Sequence, residues 1–334
     1  MSNIQSGSLR NTPWTGKSDA TALQKFIDGC NHDNYNRRHP NIKETREIGL
    51  LNSYKPDCCK KCSSRQIKVH GYTNTGLRRY KCRDCGCTFT IITGTIFDQR
   101  KIPITEWLDF LLLIFGHGSF NMASKSNRNA YNTTKFWIDK LFLLLQEWQS
   151  GIMLSGIIYL DETYYSVRSD DMYTKDNGKK PRGLSKNKLC IGTAWDGRNL
   201  ICFQEGTGKP SSKETLKVFS RNIRKGSEVI HDGDNSHRKL IASLGLSETI
   251  YTTKETKGLK DADNPLNPIN QQHRMLKRFL NAHSGFKREQ LQDYLNLFSF
   301  ISSEPVDMYE KIELLLNLAL RSSKILRYRA ENTP

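Results

Sequence analysis

The stretch that decides the fold of this chain is Gly156-Ile157-Ile158-Tyr159-Leu160-Asp161-Glu162-Thr163-Tyr164-Tyr165-Ser166-Val167. It is rich in β-branched and aromatic residues, and this composition with an apolar first half predicts a central, buried strand. Asp161 and Glu162 lie in the middle of it. Burying a carboxylate costs several kcal/mol unless a partner compensates the charge, and a cation is the usual partner. The alternative is an acid at a strand end that a turn satisfies.

The residues that follow predict a mixed α/β sheet. Strands are expected at 189–194 and 199–204, joined by the turn at Asp196-Gly197, so that three consecutive strands form an antiparallel meander. A helix over 212–219 leads to a strand at 228–231, which runs directly into Asp232. The carboxyl ends of strands are where sites gather in α/β sheets, so Asp232 is a second candidate acid.

A helix expected over 267–280 carries a third group of candidate residues. Pro268 fits its first turn, with Asn267 as the predicted N-cap. Asn267, Asn270, Arg274 and Lys277 are spaced so that they share one face of this helix. A polar stripe of this kind is also typical of a merely solvated helix face.

Two cysteine pairs precede these elements. They occur in Cys58-Cys59-Lys60-Lys61-Cys62 and in Cys82-Arg83-Asp84-Cys85-Gly86-Cys87. Two C-x2-C pairs about twenty residues apart are typical of a structural zinc site, and the two strands expected between them fit a zinc ribbon. The predicted Zn2+ ligands are Cys59, Cys62, Cys82 and Cys85. A register that uses Cys58 or Cys87, and free or redox-active thiols, remain alternatives.

Three helices are expected between the ribbon and the central strand. The first carries Trp107, Leu108 and Leu111, and the last covers about 133–142. Their order fits a helix-turn-helix whose third helix enters the major groove of DNA. A plain helical linker fits the same pattern.

Composition limits the function classes. The 334 residues are 37% hydrophobic and carry a net charge of +17, which indicates a folded protein with a polyanionic partner. The charge excess beside the cysteine pairs favours nucleic acid over a membrane surface. No apolar run has membrane-spanning length and the N-terminus lacks a signal-peptide pattern, so we expect a cytoplasmic protein with reduced thiols.

The order of these motifs resembles a known family. The segments that carry the resemblance are Thr93-Gly94-Thr95-Ile96-Phe97, Leu160-Asp161-Glu162-Thr163, Arg182-Gly183-Leu184-Ser185, Asp232-Gly233-Asp234-Asn235-Ser236-His237 and the spacing from Asn270 to Lys277. Over roughly residues 55 to 300 the chain is similar to bacterial insertion-sequence transposases with an N-terminal zinc ribbon and a DD-N-K signature. These belong to the DDE transposase and integrase superfamily.

The resemblance implies a ribonuclease H-like catalytic fold and assigns site residues by position. Asp161, Asp232, Asn270 and Lys277 correspond to the signature. The first three would hold two Mg2+ or Mn2+ ions, and Lys277 would hold a phosphate. Because Asn270 brings no charge, Glu162 or Asp234 is expected to supply a compensating acid.

The predicted organisation has five parts. They are a polar segment at 1–50, the zinc ribbon at 51–98, a helix-turn-helix-like region at 99–150, the ribonuclease H-like domain at 151–305, and a C-terminal helix with a basic tail at 306–334. The resemblance implies that the protein cuts at transposon ends and joins them to target DNA, acting on double-stranded DNA as at least a dimer. A DNA-binding regulator without activity and a ribonuclease H-like nuclease that cuts without joining are the alternatives.

Overall fold

The structure is a computed structural model, and it describes residues 29, 47–98, 103–127, 129–166, 172–178, 181, 183, 185 and 187–326. Nearly all of the predicted polar segment at 1–50 lies outside these residues, as do Arg182 and Leu184 of the loop motif. The chain divides into two compact units. One contains residues up to 144 together with residues from 307 onwards, and the other contains residues 145–306.

The described residues form ten α-helices and eight β-strands. The helices are α1 (Glu47–Ser53), α2 (Ile104–Phe115), α3 (Phe120–Ser126), α4 (Tyr131–Leu145), α5 (Ser212–Phe219), α6 (Arg238–Leu244), α7 (Thr253–Thr256), α8 (Asn267–Ala282), α9 (Leu291–Ser302) and α10 (Met308–Arg321). The strands are β1 (Ile67–Tyr72), β2 (Arg78–Cys82), β3 (Thr88–Thr90), β4 (Ile157–Ser166), β5 (Lys188–Trp195), β6 (Leu200–Thr207), β7 (Glu228–His231) and β8 (Ser247–Ile250). None of the described helices combines the length and the apolar character that crossing a bilayer requires.

The first unit begins with a small antiparallel sheet of three strands in the order β1-β2-β3. Its compact core contains Tyr80 and Phe89, whose rings stack with centroids 5.9 Å apart. Such a small sheet buries little apolar surface, so it needs a further source of stability. The four cysteines described below surround it.

Helices complete the first unit. Phe110 of α2 meets Trp137 of α4 edge to face, with ring centroids 5.4 Å apart. The C-terminal helix α10 packs on α2 and buries Leu315 and Leu320. Lys60, in the first cysteine pair, donates from Nζ to the carbonyl oxygen of Leu320 at 2.7 Å. The C-terminal helix is therefore part of the same unit as the ribbon, although the two are far apart in sequence.

The second unit is built on a five-stranded sheet in the order β6-β5-β4-β7-β8. The pairs β4–β5 and β5–β6 are antiparallel, as the predicted meander requires, whereas β4–β7 and β7–β8 are parallel. The ten-residue strand β4 is the central strand. The mixed sheet with helices on both faces confirms the predicted α/β class of a mixed sheet flanked by helices.

The two faces of this sheet have different neighbours. Ile158 and Leu160 of β4 point into the apolar core that Phe219 of α5 and Leu240 of α6 share. Successive residues of a strand point to opposite faces, so Asp161 points to the other face, against which α8 packs. The pleat of β4 therefore places Asp161 beside α8 and its neighbour Glu162 beside the α5–α6 layer.

Candidate active site

Asp161 lies in the interior of the sheet rather than at a strand end. It pairs in register with Thr193 of β5, and its side chain is 21% exposed. Its Oδ1 accepts a hydrogen bond from the main-chain N–H of Glu162 at 2.8 Å. The alternative of an acid satisfied by a strand-end turn is therefore wrong for this residue.

Asp232 follows β7 immediately, and the register of the sheet relates it to Asp161. The last parallel pair joins Tyr159 to Ile230, and each acid lies two residues beyond its member of that pair. The Asp232 Oδ1 atom accepts from the N–H of Asp234 at 2.9 Å, across a turn in which Gly233 has a φ of 85°. Only glycine adopts this backbone conformation readily, so a glycine at position 233 suits the turn.

Helix α8 presents its polar stripe to the same region. A cavity of about 380 Å³ is lined by Asp161, Glu162, Thr163 and Tyr164 from β4 and by Asn270, His273, Arg274 and Lys277 from α8. Asp232 is not among the residues that line it. The side chains of Asn270 and Lys277 form no hydrogen bond or ion pair with the described residues, so both are available to a ligand.

One detail of the α8 prediction, its N-cap, needs correction. Asn267 is the first helical residue and not the N-cap, which is Leu266 without a capping side chain. The Asn267 Oδ1 atom instead accepts from Arg274 Nη2 at 3.2 Å, and Arg274 also pairs with Asp261 at 2.7 Å. Arg274 is therefore committed to its neighbours, and it leaves Lys277 as the cation of this face with no ion-pair partner among the described residues.

The electrostatics of Asp161 are compatible with the predicted cation site. Its burial, together with the negative charges of Asp232 and Glu162, raises the pKa of Asp161 to about 7. A carboxyl group whose pKa is raised by burial and by nearby acids is costly to ionise unless a positive charge lies beside it. A divalent ion between the acids would remove that cost, and carboxylate and amide oxygens are suitable ligands for Mg2+ or Mn2+. Asp161 and Asn270 thus fit such an ion.

The two acids predicted to compensate for Asn270 both have partners. Glu162 Oε1 lies 3.2 Å from His237 Nε2 and accepts from Ser236 Oγ at 2.7 Å. Burial alone would raise the pKa of Glu162, but the contact with His237 outweighs it and lowers the pKa. Asp234 Oδ2 lies 2.7 Å from Lys209 Nζ. Their role as metal ligands stays a prediction.

Sequence reasoning missed the histidines of this region. His237 is fully buried, and its Nδ1 lies 2.8 Å from Nδ1 of His231, whose Nε2 contacts Glu248 at 3.2 Å. Burial opposes protonation of His237, yet Glu162 and the two aspartates raise its pKa. The neighbouring acids thus favour the protonated ring of His237. Its place in the Asp232 to His237 motif was the available signal.

His273 was the other omission. It lies three residues after Asn270 on α8, is 7% exposed, and has its Nδ1 3.6 Å from Asp161 Oδ2. Burial, with the charge of Lys277, lowers the pKa of His273 to about 3, so its ring is neutral. Its spacing from Asn270 places it on the same helix face, which the sequence could have indicated.

The four predicted zinc ligands come together in the first unit. The sulfur atoms of Cys59, Cys62, Cys82 and Cys85 lie within 4.8 Å of one another. The Cys59–Cys85 and Cys62–Cys82 sulfur distances are 3.6 and 3.7 Å. Tetrahedral zinc with Zn–S bonds of about 2.3 Å separates its sulfurs by roughly 3.8 Å, so the arrangement is that of a possible four-cysteine zinc site.

The surroundings of the Cys59 thiol favour its thiolate, which is the form that binds a metal ion. Burial would raise the pKa of the Cys59 thiol, but N–H groups of Cys62 and Lys61 lower it to about 7. The Lys61 N–H to Cys59 Sγ distance is 3.4 Å. Cys87 Sγ instead contacts the carbonyl oxygen of Thr88 at 3.7 Å. The identity of the ion and the ligand roles stay predictions.

Comparison with known proteins gives one relative in sequence. No protein-family model matches this chain. An uncharacterized protein in the transposable element ISH50 of Halobacterium salinarum is 20% identical over 256 residues, which cover 72% of this chain and 83% of the relative. The predicted resemblance to insertion-sequence proteins is confirmed at this level.

Solved structures give a weaker comparison. A Mos1 mariner paired-end complex with Mn is 11% identical over 63% of this chain and 75% of that chain, with a TM-score of 0.29. A Mos1 strand transfer complex is 10% identical over 69% of this chain and 82% of that chain, with a TM-score of 0.30. These scores are too low to support an argument, so the fold assignment depends on the strand order described above.

Proposed function

We propose that this chain is a DNA transposase that cuts at the ends of a mobile element and joins them to target DNA. The observation that carries the proposal is the meeting of Asp161 on β4 with Asn270 and Lys277 on α8 around one cavity, with Asp232 at the corresponding end of β7. The relative from a transposable element supports it. The finer assignments below are part of the proposal.

Each site residue has a chemical role in this proposal. Asp161, Asp232 and Asn270 would hold divalent ions, and such ions stabilise the charge that develops on the attacking and leaving oxygens of a phosphodiester. Lys277 would bind a phosphate beside them as a point charge. Water first breaks the bond between phosphorus and the 3′ oxygen at the element end. The released 3′-hydroxyl then attacks a target phosphorus and displaces a second 3′ oxygen.

The first unit would supply DNA binding. The four-cysteine ribbon carries a surplus of basic residues, which suits contacts with DNA phosphates. Lys140 on α4 is not one of the expected contacts, because its side chain is buried and its Nζ lies 4.9 Å from the centroid of the Phe136 ring. Joining two element ends requires at least two copies of the protein, so we include a dimer on DNA in the proposal.

A cleavage and strand-transfer assay tests the proposal directly. The substrates are DNA carrying the repeats that flank the gene, with Mg2+ or Mn2+ and a target plasmid. Asp161→Asn and Asp232→Asn should each abolish cleavage and leave DNA affinity within about threefold, because they remove charge at the ions and not at the DNA-binding unit. Asp263→Asn, an exposed acid of the same unit, is the matched control and should cleave normally.

The same assay separates the alternatives. Cleavage without joined products would indicate a ribonuclease H-like nuclease. DNA binding without metal-dependent cleavage in the unmodified protein would indicate a regulator. Cleavage that survives in Asp161→Asn would remove Asp161 from the site and overturn the proposed mechanism.

A further inference from the structure

The candidate metal site has an asparagine where an acid would supply charge, and the two nearby acids are already engaged. Glu162 contacts Ser236 and His237, and Asp234 contacts Lys209. An ion held by Asp161 and Asn270 would therefore need another protein ligand within the cavity. Besides Glu162, the cavity lining contains Thr163, Tyr164 and His273 as further groups with lone pairs. Of these, the imidazole of His273 places a nitrogen 3.6 Å from Asp161 Oδ2.

The distance between the His273 ring and the Asp161 carboxylate is close to the spacing of two ligands around one ion. Nδ1 of His273 lies 3.6 Å from Oδ2 of Asp161, which is too long for a hydrogen bond. Two ligands about 2.1 Å from one ion are separated by roughly 3.0 to 3.5 Å in octahedral or tetrahedral geometry. The gap between the two side chains is thus close to that of neighbouring ligands of a shared ion.

The ring of His273 is also left without partners. Its Nε2 is buried and has no hydrogen-bond partner in the described part of the chain. Its Nδ1 has only the long contact with Asp161. One nitrogen of a neutral imidazole carries the proton and the other a lone pair, so a proton on Nε2 leaves the Nδ1 lone pair for an ion beside Asp161.

Other buried histidines of the second unit differ in this respect. His231 and His237 contact each other, and they also contact Glu248 and Glu162. His283, at the end of α8, has its Nδ1 2.8 Å from the carbonyl oxygen of Phe279. His231 and His237 also lie with Asp232 in a group whose ligand atoms are all within 4.8 Å of one another, but these three residues do not line the cavity that Asp161 and Asn270 share. His273 is the histidine that lies beside Asp161 in that cavity.

We propose that His273 is a nitrogen ligand of the divalent ion that Asp161 binds, and that it makes this site prefer Mn2+ to Mg2+. The inference rests on the proposed function, since it concerns the same metal centre. Imidazole binds first-row transition ions better than Mg2+, which prefers an all-oxygen shell. Asn270 contributes no negative charge to the ion. His273 would instead contribute a nitrogen ligand that favours Mn2+.

Metal binding to the full-length, zinc-loaded protein tests this without an activity assay. Mn2+ affinity is measured by isothermal calorimetry, and pulsed electron paramagnetic resonance of bound Mn2+ reports coupling to an imidazole 14N nucleus. His273→Gln should lose the 14N coupling and bind Mn2+ about tenfold more weakly or worse, with Mg2+ affinity changed less than about threefold. The matched control His283→Gln should keep both the coupling and the affinity.

A second variant guards against misfolding of the first. His273→Asp supplies an oxygen ligand with charge, so it should bind Mg2+ more tightly than His273→Gln does while lacking the 14N coupling. Bound Mn2+ without 14N coupling in the unmodified protein would overturn the inference, and so would coupling that persists in both His273 variants. Absence of Mn2+ binding, or binding unchanged by Asp161→Asn, would instead contradict the proposed metal centre itself.

Discussion

At the scale of one residue, Glu205 shows how strongly the geometry of the sheet changes the pKa of an acidic side chain. The pairing of β5 with β6 shifts between Cys190 and Ile191, so Glu205 is the extra residue of a β-bulge. The bulge turns its side chain inward, where it is 7% exposed and where Oε1 has no hydrogen-bond partner among the described residues. Burial, reinforced by the negative charge of Glu162, raises the pKa of Glu205 to about 8.

Replacing this acid should change how stability depends on pH. A glutamate in the unfolded chain has its ordinary pKa of 4.5, so between that pH and about 8 the unfolded chain has released a proton that the folded chain retains. Stability therefore falls as pH rises through this window. Glu205→Gln removes the penalty and should raise the free energy of unfolding at pH 7.5 by on the order of 2 kcal/mol, with little gain at pH 4.5.

The measurement is urea unfolding of both proteins from pH 4.5 to 8. The difference between them isolates Glu205, because Asp161, whose pKa is also raised, and the neighbouring His237 and Glu214 are the same in both. Parallel pH profiles would show that Glu205 ionises normally in the folded protein.

At the scale of the element, the glycine at position 192 of β5 makes room for that acid. A Cβ atom there would lie 2.5 Å from Glu205 Oε1 and 2.8 Å from Cε2 of Phe219. Gly192 faces Glu162 across β4 and Phe203 across β6. A glycine in a central strand weakens the strand itself, so its benefit here is the space it leaves for the bulged side chain.

Gly192→Ala should consequently destabilise the second unit. Overpacking a fixed core by one methyl group costs about 1 to 3 kcal/mol, and the Phe219 ring is fully buried. Chemical denaturation measures the loss. Gly151→Ala, where a Cβ atom meets nothing within 4 Å, is the control and should be nearly neutral. The double variant with Glu205→Ala should recover part of the loss, and a purely additive result would contradict the proposed contact.

At the scale of the whole molecule, the two compact units differ in what stabilises them. The second unit has a large apolar core centred on β4, with Leu160, Phe219, Val229 and Leu240 buried in it. The ribbon of the first unit has only a small cluster around Tyr80 and Phe89, beside the four clustered cysteines. A structural ion supplies free energy that so small a core does not.

Loss of one cysteine ligand should therefore act on the ribbon and on DNA binding. Cys59→Ser should reduce bound zinc from about one equivalent to near zero and weaken DNA affinity about tenfold or more, because the basic ribbon no longer keeps its shape. Elemental analysis and a binding titration at fixed salt measure the two effects. Cys58→Ser, at the adjacent position, should retain zinc; the opposite pattern would support the alternative ligand register.

Local sequence signals were sufficient for much of the fold. The β-branched runs around Leu160 and Val229 predicted strands close to those observed, because strand propensity and alternation are properties of neighbouring residues. The spacing of Cys59 with Cys62 and of Cys82 with Cys85 indicated which thiols can meet, since each pair forms its own turn. The helix face that carries Asn270 and Lys277 followed from helical periodicity in the same way.

Contacts between distant segments were decided only by the tertiary structure. The sequence alone determined the class of fold, the acid on β4, the acid after β7 and the cysteine pairs. The packing of α8 against β4 decided that His273 faces Asp161, and the pleat of β4 decided that Glu162 faces His237 instead. The position of the C-terminal helix on α2 and the bulge at Glu205 arose in the same way. The physical reason is that side-chain neighbours across a sheet depend on register and packing, which no single segment encodes.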